Sequence, residues 1–160
     1  MKLIVTGALG HIGSRMIREL PSLFSDLEIV LIDNLATQRF SSLFDLPEKG
    51  NYRFIEGDVL TLDLNSIFAG ADAVLHLAAI TDATSSFENR EQVEHINYTA
   101  SLQVSKACEE SGASMFLISS TSVYGTQEQK VDENCSREEL KPQSPYAETK
   151  LKEETLIKRS

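Results

Sequence analysis

The sequence predicts an α/β fold, a doubly wound parallel sheet covered by helices on both faces in three α/β/α layers, and three observations predict it. Short β-rich runs alternate with helical patterns along the chain. Two of those runs, Ile29-Val30-Leu31-Ile32 and Met115-Phe116-Leu117-Ile118, are apolar throughout, as expected of strands buried on both sides. A three-glycine loop joins the first run directly to the first helical pattern. With 160 residues and 41% hydrophobic content, one domain over 1–160 with its own core is expected.

Taken in order, the elements are a strand from Lys2 to Thr6, a helix from about His11 to Leu20, and strands from Glu28 to Ile32, Tyr52 to Glu56 and Ala73 to Leu77. A long helix within Glu88 to Ser111, a strand from Met115 to Ser119 and a last helix from Tyr146 follow. The segment from Gly125 to Pro145 is polar and charged and contains Pro142 and Pro145, which predicts a loop over the mouth of a site. Doubly wound nucleotide folds usually carry six or seven strands in two halves. About five are read here, so the second half is short.

Composition narrows the partners. A formal net charge of −9 argues against nucleic acid or an anionic membrane, because their phosphates would be repelled. A small anionic ligand stays open, since local backbone dipoles can outweigh net charge. Cys108 and Cys135 have no CxxC or Cys/His spacing, so neither a disulfide framework nor a metal site is expected, and a reducing, cytoplasmic setting fits. The apolar start runs into glycine at position 7, too early for a signal-peptide core. No run approaches membrane-spanning length, and a soluble protein is expected.

The glycine loop Thr6-Gly7-Ala8-Leu9-Gly10-His11-Ile12-Gly13 opens the first helix. Gly7 permits a tight turn, Gly10 lets backbone approach a pyrophosphate, and Gly13 lets helix and strand pack closely. The helix N-terminus adds N–H groups and partial positive charge. Alone, the pattern reads more readily as a structural turn; between a buried strand and an amphipathic helix it reads as phosphate binding. Asp33 ends the second strand, 20 residues past Gly13. A carboxylate there can accept from adenosine ribose hydroxyls and would repel a 2′-phosphate, selecting NAD over NADP. The alternative is a solvated strand-end Asp. Asp58 and Val59, past the next strand, stand where an adenine is typically held, with a turn Asp as the alternative.

Tyr146 and Lys150 are four apart at the start of the last helical pattern, so they share a helix face. A free tyrosine, with a pKa of about 10, is a poor base at neutral pH; a neighbouring ammonium favours its phenolate. Ser119-Ser120-Thr121-Ser122-Val123-Tyr124-Gly125 closes a strand at the carboxyl edge, where open α/β sheets bind ligands. A hydroxyl there can hydrogen-bond a substrate oxygen. By themselves the serines read as a turn or a helix cap. Asn97 falls on a stripe with Val93, Ala100, Val104 and Ala107, a buried amide that either bridges backbone and cofactor or is satisfied within the core. His76 reads as a core histidine, and His11 and His95 as solvated or turn residues.

In this order the segments TGALGHIG at 6–13, IDN at 32–34, GDV at 57–59, HLAA at 76–79, Asn97, SSTSVYG at 119–125 and PQSPYAETK at 142–150 resemble the extended short-chain dehydrogenase/reductases. Within them the likeness is to the NAD-dependent epimerase/dehydratase family and its nucleotide-sugar epimerases. The resemblance implies a Rossmann-type fold, NAD as cofactor and Tyr146 as general base and acid. It implies that Lys150 lowers the pKa of Tyr146 and holds the nicotinamide ribose, and that Ser120 positions the substrate, with Thr121 as a fallback. It places backbone at His11 and Ile12 on the pyrophosphate, Asn34 beside Asp33, and Leu77, Ala78 and Ala79 along the cofactor. Dehydratases of this family usually carry an acidic residue shortly after the catalytic hydroxyl, where Thr121 and Ser122 stand here; that departure, with Pro142-Gln143-Ser144-Pro145-Tyr146, favours a UDP-sugar 4-epimerase. An NAD-dependent dehydrogenase of the same family, acting on a sugar or a short hydroxy amino acid, and a non-catalytic NAD-sensing protein are the alternatives. The resemblance further implies a homodimer, paired through the helix of Asn97 and the helix after Tyr146, and a C-terminal substrate domain absent from these residues. The 160 residues alone are therefore expected to bind NAD weakly and to turn over nothing.

Overall fold

The computed structural model describes residues 1–81, 89–127 and 130–158. Its elements are β1 (Lys2–Thr6), α1 (His11–Leu23), β2 (Glu28–Asp33), β3 (Asn51–Glu56), α2 (Leu64–Phe68), β4 (Ala73–His76), α3 (Arg90–Ser111), β5 (Ser114–Leu117) and α4 (Pro145–Ile157). Residues 82–88 lie outside the described residues, and so does the expected helix start at Glu88.

Among the described residues the strands form one parallel sheet in the order β3-β2-β1-β4-β5. In its central register Ile4 faces Val30 on one side and Val74 on the other. The core sits here: Ile4, Val5, Ile29, Val30, Leu31, Ile32 and Val74 are fully buried, and the apolar run of β2 has the two-sided burial its sequence predicts. The strand–helix alternation and the Rossmann-type parallel sheet expected from the sequence are both present.

The chain divides into two compact units, Met1–Ala79 with Gln103–Ile118, and Ile80–Leu102 with Ser119–Ser160. The first holds the sheet. In the second, the N-terminal part of α3 and α4 are joined by ion pairs, Arg90 to Glu148 and Lys152 to Glu94. The stripe read on α3 is present: Val93, Asn97, Ala100, Val104 and Ala107 are each at most 2% exposed. Ser144 caps α4, its Oγ accepting from Ala147 N at 3.2 Å, and Pro145 occupies the first helical position, where its missing N–H is no loss.

Two expectations are corrected. Helix α1 does not stop at Leu20 but runs through Pro21 to Leu23. Proline at 21 cannot donate to the Ile17 carbonyl one turn back, and the Tyr52 hydroxyl supplies the missing hydrogen bond at 3.0 Å. The second correction concerns β5, which is a strand but is not buried on both sides. Phe116 is 57% exposed and Ile118 43%, on the same face as the exposed Ser114, so that among the described residues one face of this edge strand is left uncovered. The segment expected as a loop from Gly125 to Pro145 carries one short 3-10 turn, Arg137–Glu139, where the Glu139 carboxylate accepts from Ser136 N at 2.6 Å.

Candidate functional site

The glycine loop is organised by Thr6. Its hydroxyl, fully buried, lies 2.7 Å from His76 Nδ1 and accepts from the N–H groups of Leu77 and Ala78 at 3.2 Å each. These bonds hold the chain leaving β4 beside the end of β1. Gly7 then turns at φ +63°, and a Cβ on it would stand 2.7 Å from Ala78 N; a Cβ on Gly13 would stand 2.6 Å from the carbonyls of Gly7 and Ala8. Both positions are glycine because protein backbone occupies the space. Gly10 differs, since a Cβ there would meet only the Gly7 carbonyl, at 3.3 Å. At Gly10 the protein's own backbone is thus less restrictive than at Gly7 and Gly13.

Gly10 is also the N-cap of α1, with no side-chain cap and no acidic residue in the first turn. The N–H groups at His11, Ile12 and Gly13 are thus left to an outside acceptor, and Ile12 is 53% exposed. An uncapped helix start behind a glycine fits a pyrophosphate.

Asp33 is more than a solvated strand-end residue. Its Oδ2 accepts from Leu9 N at 3.0 Å and its Oδ1 from Leu35 N at 2.9 Å, so it braces the glycine loop against the end of β2. Each oxygen keeps a further lone-pair site for ribose hydroxyls. Asn34 Nδ2 donates to Asp58 Oδ2 at 3.1 Å, and Asp58 Oδ1 accepts from Leu60 N at 2.9 Å, which links the ends of β2 and β3 beside the buried Val59. Leu77, Ala78 and Ala79 are half-buried. Sequence reading missed Arg39, whose Nη2 lies 3.0 Å from His11 Nε2. An arginine can only donate, so this imidazole nitrogen is the acceptor. The two residues are 28 apart, beyond any spacing rule.

In the second unit, Ser120 caps a 3-10 turn, Thr121–Val123, that packs against α4. Its Oγ accepts from Ser122 N at 3.2 Å and lies 2.8 Å from Ser122 Oγ. A cleft of about 400 Å³ is lined by Ser120, Thr121, Ser122, Gly125, Thr126, Gln143 and Ser144. Tyr146 and Lys150 are not in that lining. They sit on α4, with Lys150 Nζ 5.9 Å from the centre of the Tyr146 ring, the shared face that their spacing predicts.

The electrostatics depart from expectation. Lys150 Nζ donates to Glu153 Oε2 at 2.7 Å, and both side chains are buried, 6% and 1% exposed. Burial first, and the Glu153 carboxylate second, push the Tyr146 phenol above its ordinary 10.0. Among the chain's own residues burial therefore outweighs any lowering by Lys150, and the Glu153 carboxylate adds to the rise. Glu154, the next residue, accepts from the Ser119 hydroxyl. Neither glutamate was singled out from the sequence, although the Lys150–Glu153 spacing of three was readable as a helical pair. A glutamate in a charged helical run reads as solvated until the packing is known.

Asn97 is 1% exposed. Its Oδ1 accepts from Ile80 N at 2.8 Å and its Nδ2 donates to Ile80 O at 2.9 Å. The backbone half of the expected bridge is therefore in place, and the amide is satisfied as a core residue would be. His76 is a buried core residue, and His11 and His95 are exposed. Among the described residues no cluster of His, Cys, Asp and Glu could hold a metal ion, and no helix is long and apolar enough to cross a membrane.

The NAD dependent epimerase/dehydratase family profile matches residues 3–160. The uncharacterized UDP-glucose epimerase YtcB of Bacillus subtilis is 39% identical over 163 residues, which cover 98% of this chain and 50% of that protein. A dTDP-glucose 4,6-dehydratase of Mycobacterium tuberculosis is 29% identical, over 99% of this chain and 48% of its own length. Among solved structures, the UDP-N-acetylglucosamine 4-epimerase of Methanobrevibacter ruminantium superposes with a TM-score of 0.87 at 31% identity, covering 99% of this chain and 49% of that one. The UDP-glucuronic acid 4-epimerase of Bacillus cereus, in complex with UDP-glucuronic acid and NAD, superposes with a TM-score of 0.86 at 31% identity, covering 99% and 52%. The chain spans about half the length of these relatives.

Proposed function

The chain belongs to the NAD-dependent epimerase/dehydratase family, and on that premise we propose that it carries the cofactor-binding and proton-transfer residues of a UDP-sugar 4-epimerase. The observation that carries the reading is the serine turn with α4. The turn residues that line the cleft, Ser120, Thr121 and Ser122, all carry hydroxyls, and Lys150 lies against the ring of Tyr146. Expelling water from a sugar calls for an acid in that turn, and none is there.

The residues divide the work. The helix start at Gly10, His11, Ile12 and Gly13 holds the pyrophosphate, Asp33 accepts from the adenosine ribose and selects NAD, and Asp58 with Val59 flanks the adenine. Leu77, Ala78 and Ala79 line the cofactor, with Asn97 holding the adjoining backbone at Ile80. NAD, when bound, takes a hydride from C4 of the sugar and returns it to the opposite face. Tyr146 takes the C4 hydroxyl proton at Oη and gives it back, Ser120 donates to the same sugar oxygen, and Lys150 is held beside the ring of Tyr146 to reach the nicotinamide ribose. The proposal includes a homodimer through α3 and α4 and a cytoplasmic setting, in keeping with the free thiols of Cys108 and Cys135.

The test is incubation of the full-length protein with UDP-glucose, UDP-N-acetylglucosamine and UDP-glucuronic acid, with the C4 epimers resolved by chromatography. Exchange between epimers without net reduction of NAD is expected, with a loss of roughly 10²–10⁴-fold in Tyr146→Phe. Stoichiometric NAD reduction without epimer would instead mark a dehydrogenase.

A further inference from the structure

Among the described residues of the second unit Glu153 is the least exposed ionisable side chain, and the reaction proposed above does not use it. It is 1% exposed, and its Oε2 holds Lys150 Nζ at 2.7 Å. Its Oε1 is buried without a partner. Among the described residues of α4, the serine turn and the N-terminal part of α3, Glu154 pairs with Ser119, Glu148 with Arg90 and Lys152 with Glu94, while Glu91, His95 and Lys158 are exposed to solvent. The remaining ionisable group of the serine turn, Tyr124, is a neutral phenol held above its ordinary range mainly by burial. Lys150 and Glu153 therefore act on Tyr146 as an isolated ion pair.

A buried ion pair contributes little to stability relative to apolar side chains of the same volume, and an unpaired carboxylate oxygen makes it worse. What the pair does instead is fix one ammonium and cancel its field. We propose that Glu153 is a positioning residue, a buried counter-ion that fixes Lys150 beside Tyr146 and sets the pH at which Tyr146 gives up its proton. The inference deepens the reading of Tyr146 as the base and rests on that reading for its bearing on turnover. With Glu153 ionised, the ammonium cannot favour the phenolate as a lone cation would. Removing that single negative charge leaves the cation uncancelled.

The experiment follows the ¹³Cζ resonance of Tyr146 with pH in the full-length protein without cofactor, assigned by its loss in Tyr146→Phe. In Glu153→Gln the amide oxygen can still accept from Lys150, and the Tyr146 midpoint is expected to fall by roughly one pH unit. In Lys150→Met/Glu153→Met both charges go together, and the midpoint is expected to stay within about 0.5 unit of the native one. A midpoint unchanged in Glu153→Gln overturns the proposal. So does a rise of about one unit or more in the double variant, which would show Lys150 acting uncancelled. If Glu153→Gln does not fold, the double variant decides alone by the same two outcomes. The pH profile of epimer exchange separates this inference from the functional one. A titration that moves in Glu153→Gln while the exchange profile stays fixed upholds the counter-ion and removes Tyr146 as base.

Discussion

The end of β1 and the face of α4 both bury polar side chains, and they satisfy them in different ways. At β1 the group is neutral: the Thr6 hydroxyl meets His76 and two backbone N–H groups within 3.2 Å. On α4 the groups are ionised, and the Lys150–Glu153 pair leaves Glu153 Oε1 with nothing to accept from. The neutral arrangement is complete in itself and serves as framework for the glycine loop. The ionised one is left incomplete, and it lies against the residue proposed to move protons.

The largest effect should come from breaking the α4 pair on one side only. Lys150→Met strands the Glu153 carboxylate in a site where it is 1% exposed, and a loss of about 3–5 kcal/mol is expected at neutral pH. Urea unfolding at pH 7 and at pH 5 checks this, with a smaller deficit at the lower pH because protonation removes the stranded charge. A loss under about 1 kcal/mol would mean that water reaches Glu153, and the contrast with β1 would collapse.

Thr6→Val is the matching cut at β1. Valine keeps the shape and suits the strand, but Ala78 N and His76 Nδ1 lose the hydroxyl, while Leu77 N retains the Thr6 carbonyl at 3.1 Å. About 1–3 kcal/mol is expected, from the half-buried Ala78 N–H that loses its acceptor. Because the loss falls on the backbone beside Gly7, NAD affinity measured by calorimetry should weaken along with the melting temperature. Unchanged NAD affinity at reduced stability would separate the framework from the loop it is argued to hold.

This contrast also marks what the sequence made legible. β1, the glycine loop, β2 and Asp33 are governed by neighbours in sequence, so runs, spacings and turn chemistry located them. Tyr146 and Lys150 were legible for the same reason, as a helical i, i+4 pair. What escaped depends on partners far along the chain. Pro21 reads as a helix stop until Tyr52, 35 residues beyond Ile17, is seen to serve the Ile17 carbonyl. The apolar run of β5 carries no sign of whether a second layer covers it. Arg39 at His11 has no local signature, and Glu153 has one that points the wrong way, since its charge predicts solvent and the packing gives burial.

The smallest effect tests whether burial, rather than charge, makes α4 different. Arg90 and Glu148 pair in the same unit as Lys150 and Glu153, but their side chains are 56% and 37% exposed. Water already solvates both partners, so pairing adds little Coulomb energy and restrains two long side chains. Arg90→Ala should therefore cost no more than about 0.5 kcal/mol. That loss should shrink further between about 0.1 and 1 M salt, where the Debye length drops from about 10 to 3 Å. Lys150→Met should keep its deficit over the same range, because ions do not screen a pair they cannot approach. If Arg90→Ala instead costs more than about 1.5 kcal/mol and resists salt, the exposed pair is part of the framework joining α3 to α4. Burial would then no longer be the variable that sets Glu153 apart.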